Sequence, residues 1–259
     1  MITSTSNARV KELLQLQKKA KLRNQEKVFI VEGIRMFQEL PRERIKNIYF
    51  SESFYHRRRE ELNLDAYPHE LLSDTVFAYV SDTKTPQGVL CVVKQPQYAL
   101  ADILEAQQPH IVVLDNLQDP GNLGTLLRTA EGAGVTGIIM SSDCVDIFNP
   151  KVIRSTMGSI YRMPFLYVDH LEETIEEIKR KGIQTFAAHL QGRQDYDEAD
   201  YRNACAFLIG NEGNGLREEI ANMAQEWIRI PMQGKVESLN AAIAASVLMF
   251  EAARQRRRQ

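Results

Sequence analysis

The stretch that decides the fold runs Phe207-Leu-Ile-Gly210-Asn-Glu212-Gly213-Asn-Gly215-Leu216, an apolar run that turns into a loop with three glycines. The apolar run predicts a buried β-strand, and the glycines indicate special backbone angles or the close approach of a ligand. Their spacing is not that of a GxGxxG dinucleotide loop, and a glutamate in the loop would repel phosphate. The loop suits a ligand with hydroxyl or ammonium groups, or else it is a purely structural turn.

Around this loop, the second half of the chain alternates between short apolar runs and helical patterns. Such alternation predicts a parallel α/β sheet with helices on both faces. The predicted strands are Ile111–Leu114, Gly137–Met140, Pro164–Val168, Gln184–Ala188, Cys205–Ile209 and Glu226–Ile230, and the predicted helices are 121–133, 151–157, 171–181, 215–223 and 238–254.

The first half also alternates and predicts a smaller α/β domain. It begins with an amphipathic helix around Val10 and includes strands at 28–31, 45–50 and 89–93 and helices at 53–62 and 73–81. A polar stretch between Pro96 and Pro109 marks the boundary. We therefore expect one domain over residues 1–100 and a second over residues 108–259.

Charge is distributed unevenly along the 259 residues, whose net charge is only -2. Residues 1–27 hold seven Lys and Arg but two Glu, Arg57–Arg59 follow, and the chain ends with Arg254, Arg256, Arg257 and Arg258. Clusters of this kind suit phosphate contact, or are solvated helix faces. The basic face that we expect to contact phosphate groups consists of Lys18, Lys19, Lys21, Arg23, Arg57, Arg58 and Arg59.

Composition excludes several classes of protein. The three cysteines form no CxxC pair, no apolar run approaches about 20 residues, and the hydrophobic fraction of 44% is ordinary for a globular chain. These features argue against secreted, membrane, zinc-finger and disordered classes. We expect a cytoplasmic protein without a metal site.

Two further loops carry polar residues next to predicted strand ends. Asp119-Pro-Gly-Asn122 follows the strand 111–114 and opens a helix near Asn122, where Asn would serve as a cap. Arg128 lies six residues further on and either faces outward or returns to the same mouth. Ser238-Leu239-Asn240 follows the strand that ends at Ile230, with Ser238 as the expected helix cap. Carboxyl ends of strands are where open α/β sheets bind ligands.

Taken in order, these three loops resemble the SpoU/TrmH family of the knotted SPOUT superfamily, S-adenosylmethionine-dependent RNA ribose 2′-O-methyltransferases. The matching segments are Asp119–Thr129, Ile209–Leu216 and Ile230–Asn240. The N-terminal half is similar to the substrate-binding domain of this family at Thr3–Leu13, Phe29–Gly33 and Ser81–Val89. The resemblance covers essentially the whole chain.

The resemblance implies a role for each matching residue. Gly210, Ile230 and Leu239 fall where the backbone lines the methyl-donor pocket. Asn122, Arg128, Glu212, Ser238 and Asn240 fall on the polar positions around the reacting centre. A trefoil knot at the C-terminus, a homodimer and an RNA substrate are also implied. A separate substrate domain favours large-subunit (23S) ribosomal RNA over transfer RNA.

The chemistry of ribose methylation agrees with these residue types, because the donor already carries a sulfonium and needs mainly alignment. Arg128 would orient a phosphate, since a guanidinium stays protonated at neutral pH and makes a poor base. Two other hypotheses remain open: a catalytically inactive RNA-binding assembly factor with this fold, and a doubly wound nucleotide-cofactor enzyme, which the missing GxGxxG pattern disfavours.

Overall fold

The computed structural model describes residues 1–257, so Arg258 of the basic C-terminus lies outside the described residues. The chain separates into two compact units. The first comprises Met1–Pro96 and Asp146–Tyr161, and the second comprises Gln97–Val145 with the chain from Arg162 onward. The boundaries that we expect from the sequence, 1–100 and 108–259, stay predictions. The structure adds that residues 146–161 pack with the first unit.

The first unit is built on a four-stranded sheet in the order β1-β4-β2-β3, with β2 and β3 parallel and the other pairs antiparallel. Its strands are β1 (Val28–Glu32), β2 (Ile45–Ser51), β3 (His69–Leu72) and β4 (Val89–Lys94). Its helices, numbered along the whole chain, are α1 (Ala8–Lys18), α2 (Ala20–Glu26), α3 (Ile34–Gln38), α4 (Glu52–Arg58), α5 (Asp74–Val80) and α8 (Pro150–Thr156). The helix predicted over 53–62 ends earlier, because the chain turns after Arg59 and Asn63 adopts a left-handed φ of 48°.

The second unit is built on a seven-stranded parallel sheet in the order β7-β6-β5-β10-β8-β11-β9. Its strands are β5 (His110–Leu114), β6 (Gly137–Ser141), β7 (Phe165–Val168), β8 (Gln184–Ala188), β9 (Gln194–Asp195), β10 (Cys205–Ile209) and β11 (Glu226–Arg229). Its helices are α6 (Leu100–Leu104), α7 (Pro120–Gly132), α9 (Leu171–Arg180), α10 (Glu218–Met223) and α11 (Ala241–Arg256). The predicted parallel α/β sheet is confirmed.

The centre of this sheet explains why its strands are uniformly apolar. Every residue of β5, β6 and β10 is buried, as expected for parallel strands covered by helices on both faces. β5 and β10 are neighbours, and the chain leaves them in opposite directions across the sheet. The loops that follow these two strands therefore meet at a topological switch point, where ligands bind in open α/β sheets.

Arg23 contradicts the prediction that it contributes to an exposed basic face. Only 3% of this residue is exposed. Its guanidinium donates to the carbonyl oxygens of Leu16 (2.7 Å) and Gln17 (2.9 Å), near the end of α1, and pairs with Asp146. The sequence placed Arg23 in a lysine-rich run, but the turn between α1 and α2 directs it inward, where it satisfies carbonyls that the helix end leaves without partners.

We expect Arg23→Met to destabilise the first unit without acting on RNA directly. Removing one partner of a buried pair costs about 3–5 kcal/mol, and we expect about 2–4 kcal/mol here because Asp146 is partly exposed. Denaturant unfolding would measure the loss, with exposed Lys21→Met as the control that leaves the unfolding midpoint nearly unchanged. Normal stability with weakened RNA binding would restore Arg23 to the RNA-contacting surface.

Candidate active site

The loop after β5 ends at Asp119, which caps α7, so the side chain of Asn122 is not needed as the cap. Asp119 is the cap of α7: its carboxylate accepts from the backbone N–H of Asn122 at 2.8 Å, and Pro120 occupies the first turn. The expectation that the helix opens near Asn122 with Asn as its cap is therefore wrong by one turn. Asn122 lies inside the first turn, and its side-chain amide points to other loops.

The glycine loop after β10 closes on itself. The backbones of Asn211 and Gly215 exchange two hydrogen bonds of 2.9 Å each, which brings the two ends of the loop side by side. A Cβ on Gly210 would collide with the backbone of Gly215 and Leu216, so only glycine allows this close approach. The sequence pattern indicated such an approach but did not show that the approaching group is the loop itself.

Two side-chain contacts that the sequence did not reveal hold the glycine loop against the loop after β5. Asn211 donates its Nδ2 to the carbonyl oxygen of Asn116 at 2.8 Å. Asp115, only 1% exposed, accepts from the backbone N–H of Arg217 at 3.0 Å and from its guanidinium Nε at 2.8 Å. Because Arg217 is held in this way, α10 begins at Glu218 and not at residue 215 as predicted. Only the buried position of Asp115 directly after a strand could have drawn attention to it.

A chain of amide hydrogen bonds connects three loops. Asn240 caps α11, and its Oδ1 accepts from the N–H groups of Ala242 (3.0 Å) and Ile243 (3.3 Å). Its Nδ2 donates to Oδ1 of Asn122 at 2.9 Å, and Nδ2 of Asn122 donates to Oε1 of Glu212 at 2.9 Å. The expectation that Ser238 caps this helix is wrong, because Asn240 takes that position and Ser238 is exposed in the preceding loop.

The carboxylate of Glu212 accepts hydrogen bonds from three protein donors. Besides Asn122, it accepts from the backbone N–H groups of Asp119 (3.1 Å) and Gln118 (3.3 Å). Burial would raise the pKa of Glu212, but these hydrogen bonds outweigh burial and hold the pKa below its ordinary value. A carboxylate that stays ionised and occupied positions the loops well and accepts a proton poorly.

A cavity of about 320 Å³ opens beside these loops, within the range of about 300–1,000 Å³ typical of ligand pockets. Gly210, Ile230 and Leu239, the three residues that the sequence assigned to the methyl donor, all line it, as do Glu212 and Ser238. The segment Ala188–Gln191 after β8 lines the cavity as well, and the sequence analysis missed it. This segment lacks glycines and polar clusters, so only the order of strands in the sheet identifies it.

Arg128 is exposed on α7. Within residues 1–257 it makes no hydrogen bond and no ion pair, unlike the paired Arg217. A purely structural role for Arg128, through an ion pair with a nearby carboxylate, therefore has no support in the described part of the chain. An unpaired guanidinium remains available for an anionic ligand.

The other predicted basic residues differ in how far their charge is already neutralised. Lys18, Lys19 and Lys21 are exposed, and the described residues offer them no acidic partner. In contrast, Arg58 pairs with Glu61 and Arg59 with Asp65. At the C-terminus, Arg254 pairs with Glu251, and Arg256 donates to the carbonyl oxygens of Tyr201 (3.0 Å) and Asn203 (2.6 Å). Clustering in sequence overstated the free charge at Arg58, Arg59 and the C-terminus.

Two features are absent from residues 1–257. No group of three or more His, Cys, Asp or Glu is placed to hold a metal ion. None of the helices in this range is long and apolar enough to cross a membrane.

The fold and the site define a parallel α/β protein with a ligand-sized cavity at the carboxyl edge of its sheet. Comparison with known proteins narrows this class. The model of the SpoU rRNA Methylase family matches residues 109–250, and that of the MRM3-like substrate binding domain matches residues 7–91. The chain belongs to the SpoU rRNA methylase family, and its enzyme class is RNA methyltransferase.

Relatives and solved structures agree with this assignment. A 23S rRNA (guanosine(2553)-2′-O)-methyltransferase of Bacillus subtilis is 30% identical over 96% of this chain and 97% of its own length. An uncharacterized tRNA/rRNA methyltransferase of Synechocystis is 34% identical over 98% and 93% of the two chains. The AdoMet-bound rRNA methyltransferase of Sinorhizobium meliloti has a TM-score of 0.84 at 32% identity and covers 98% of this chain and 97% of its own. The family, the enzyme class and the methyl donor predicted from the sequence are confirmed.

We expect Asn240→Asp to separate the two tasks of Asn240. The carboxylate still accepts from the first N–H groups of α11, so thermal stability should stay within about 1 kcal/mol. It has no N–H to donate to Asn122. Loss of this hydrogen bond costs about 1–3 kcal/mol and should slow methylation about 5- to 150-fold. Single-turnover methylation and thermal melting measure the two effects.

Asn240→Ser serves as the control for the cap, because serine also accepts from the helix N–H groups. Wild-type methylation by Asn240→Asp would show that the amide chain plays no part in the reaction.

Proposed function

We propose that this protein transfers the methyl group of S-adenosylmethionine to a ribose 2′-hydroxyl of large-subunit ribosomal RNA. The observation that carries the proposal is the cavity formed by the segments after β8, β10 and β11, which Gly210, Ile230 and Leu239 line. The name of the Bacillus subtilis relative supports a large-subunit RNA as substrate, and the match over residues 7–91 supports a separate substrate-binding domain.

The residues around the cavity fit this donor. Its walls are largely aliphatic at Ile209, Leu216, Ile228 and Leu248, and the Gly210–Gly215 loop brings main-chain polar groups to it. Such a lining suits a nucleoside joined to an amino-acid chain, in which apolar surface and a few polar groups alternate. When bound, the donor supplies an electrophilic methyl group on a sulfonium.

The residues of this chain would then hold the mouth of the cavity in place and orient the RNA. Asn240 and Asn122 hold Glu212 against the N–H groups of Gln118 and Asp119, which fixes the mouth of the cavity. Arg128 would grip a phosphate of the RNA with two parallel hydrogen bonds and so align the ribose oxygen.

A direct test combines transfer with mapping. The full chain is incubated with labelled S-adenosylmethionine and either unmodified large-subunit ribosomal RNA or transfer RNA, and 2′-O-methyl sites are mapped. Label on one ribose of ribosomal RNA supports the proposal, whereas label on transfer RNA alone moves the substrate to that class. RNA binding without transfer would favour the inactive assembly factor, and stabilisation by NAD but not by S-adenosylmethionine would favour the nucleotide-cofactor enzyme.

We expect Arg128→Ala to melt normally and bind S-adenosylmethionine normally while methylation is nearly abolished. Arg128→Lys should also lose most activity, because lysine keeps the charge and loses the planar two-point grip. Calorimetry with the donor and single-turnover transfer distinguish the steps. Ala244→Phe is the matched counterpart: Ala244 lines the cavity, so this variant should lose donor affinity. Rapid methylation by Arg128→Ala would contradict the assignment.

The RNA would meet the first unit through Lys18, Lys19 and Lys21, with Arg57 as a further candidate. These side chains are exposed and unneutralised within the described chain, which favours phosphate contact over a structural role. Arg58 and Arg59 become weaker candidates, because each is paired with a carboxylate.

A homodimer is the second part of the proposal. Ile243 is 50% exposed and Phe250 46% exposed, and with half-buried Val247 they form one stripe along α11. A stripe of large apolar side chains facing water favours burial against a second copy. The cytoplasmic location expected from the sequence stays a prediction.

We expect wild type to have a dimeric mass in light scattering at micromolar concentration and the pair Ile243→Glu, Phe250→Glu to have a monomeric mass. Charges buried in an apolar contact oppose association. The control is Val236→Glu, at an apolar residue that is 63% exposed outside this stripe. An active wild type with a monomeric mass would refute the dimer.

The trefoil knot is the third part. Asn240 returns to the loop after β5 through its hydrogen bond to Asn122, and α11 then packs along α7, which supports a late segment passing close to an earlier one. A processive unfoldase pulling on the C-terminus should tighten such a knot and stall, and smooth degradation would argue against it.

A further inference from the structure

The connection from α5 to β4, Ser81–Gly88, is exposed from Asp82 to Gln87 except for a half-buried Thr83, yet both of its ends are tightly held. We call it the 81–88 loop. Exposed loops usually vary and move, and a loop that is held in one shape while facing water is a common place for a binding function. Ser81–Val89 is one of the segments that resemble the substrate-binding domain, but no contact has been assigned to the loop itself.

Glu32, at the end of β1, holds the first half of the loop with its carboxylate. Its Oε1 accepts from the hydroxyls of Ser81 (2.5 Å) and Thr83 (2.8 Å), and its Oε2 accepts from the backbone N–H of Asp82 (3.1 Å). Three donors from three successive residues fix the backbone that leads to Lys84. They also occupy both carboxylate oxygens of Glu32.

The second half of the loop is held at Gln87 and Gly88. Gln87 accepts from the backbone N–H of Ile34 at 2.8 Å. Gly88 has a φ of +95°, and a Cβ there would collide with Phe54, so the chain can enter β4 in this way only with glycine. The loop is thus anchored at both ends to the sheet.

The tip between these anchors offers hydrogen-bond donors, and it has no unpaired carboxylate. Lys84 is exposed, and within residues 1–257 neither its ammonium group nor the backbone N–H groups of Lys84 and Thr85 have a hydrogen-bond partner. The nearest carboxylate in sequence, Asp82, is paired with Arg154. The tip thus has the ammonium group of Lys84, the hydroxyl of Thr85 and two free backbone N–H groups. Donors of these kinds contact phosphate in nucleic-acid complexes.

The loop is also next to the exposed lysines of the first unit. Nε2 of Gln17, near the end of α1, donates to the carbonyl oxygen of Val80 at 2.6 Å, directly before the loop begins. Lys18 follows Gln17, and Lys19 and Lys21 follow in turn. Arg58 and Arg59, in contrast, are paired with Glu61 and Asp65.

We infer that the 81–88 loop is an RNA-contacting element that binds a backbone phosphate through Lys84 and extends the surface of Lys18, Lys19 and Lys21. Glu32 is its positioning residue. The inference rests on the proposed function, since it takes RNA as the substrate. It assigns a contact to residues that the basic runs of the sequence do not include.

Lys84→Ala tests the charge. In the full chain, the salt dependence of binding to unmodified large-subunit ribosomal RNA should become shallower by about 0.7–0.9, which removes about threefold of the affinity change between 50 and 200 mM salt. The matched control is Lys94→Ala, an exposed lysine at the other end of β4, about 17 Å along the strand. Equal slopes for wild type and Lys84→Ala would overturn the inference.

Glu32→Gln tests the positioning. Removing a negative charge would by itself tighten RNA binding, but the amide cannot accept from all three donors and should release the loop. We therefore expect weaker RNA binding, with unchanged donor affinity by calorimetry. Tighter binding would show that only general electrostatics acts here, and would overturn the role of Glu32.

The two proposals fail in different ways. If wild type does not bind or methylate RNA, the proposed function fails. If wild type binds and methylates RNA and Lys84→Ala does so with the same salt slope, only the assignment of this loop fails.

Discussion

The hydrogen bonds that Asn240 makes at the start of α11 constrain the whole site. Two backbone N–H groups of this helix require an acceptor, so the oxygen of the Asn240 amide must face the helix and its nitrogen must face outward. Asn122 can then meet it only with its own oxygen, which turns the nitrogen of Asn122 to Glu212. The cap of one helix thus sets the direction of donation through three loops that are far apart in sequence.

The parallel sheet is what allows those loops to meet. Parallel strands all end at the same edge, so the segments after β5, β8, β10 and β11 emerge together. Burial then makes the arrangement specific: Asp115 is enclosed directly after β5, and leaving its charge unpaired would be costly. Arg217 satisfies it with a backbone and a side-chain donor and thereby locks the end of the glycine loop. Cavity shape follows from these pairings as much as from the residues that line it.

The sequence could predict what depends on local pattern. Apolar runs identified the central strands, and glycines and polar residues at their ends identified three of the loops around the cavity. It could not predict partners, because a pairing depends on the fold. The sequence analysis predicted Asn122 as the cap of α7, whereas the cap is Asp119. Both are good cap residues, and they lie within one turn of each other. β3 and β9 were missed because a four-residue strand with half-buried positions and a two-residue edge strand carry almost no periodic signal.

Basic residues show most clearly that the sequence does not predict the partners of a side chain. Arg23, Arg217 and Arg256 are all held by acceptors inside their own units, whereas Arg128 and Lys84 are exposed and unpaired within residues 1–257. Formal charge along the chain does not distinguish these groups. Once a guanidinium is surrounded by carbonyl oxygens or a buried carboxylate, moving it to a phosphate would leave those acceptors unsatisfied, at a cost of about 1–3 kcal/mol for each buried group. A free cation has no such cost, so the pairing state, and not clustering in sequence, determines which positive charges can bind RNA.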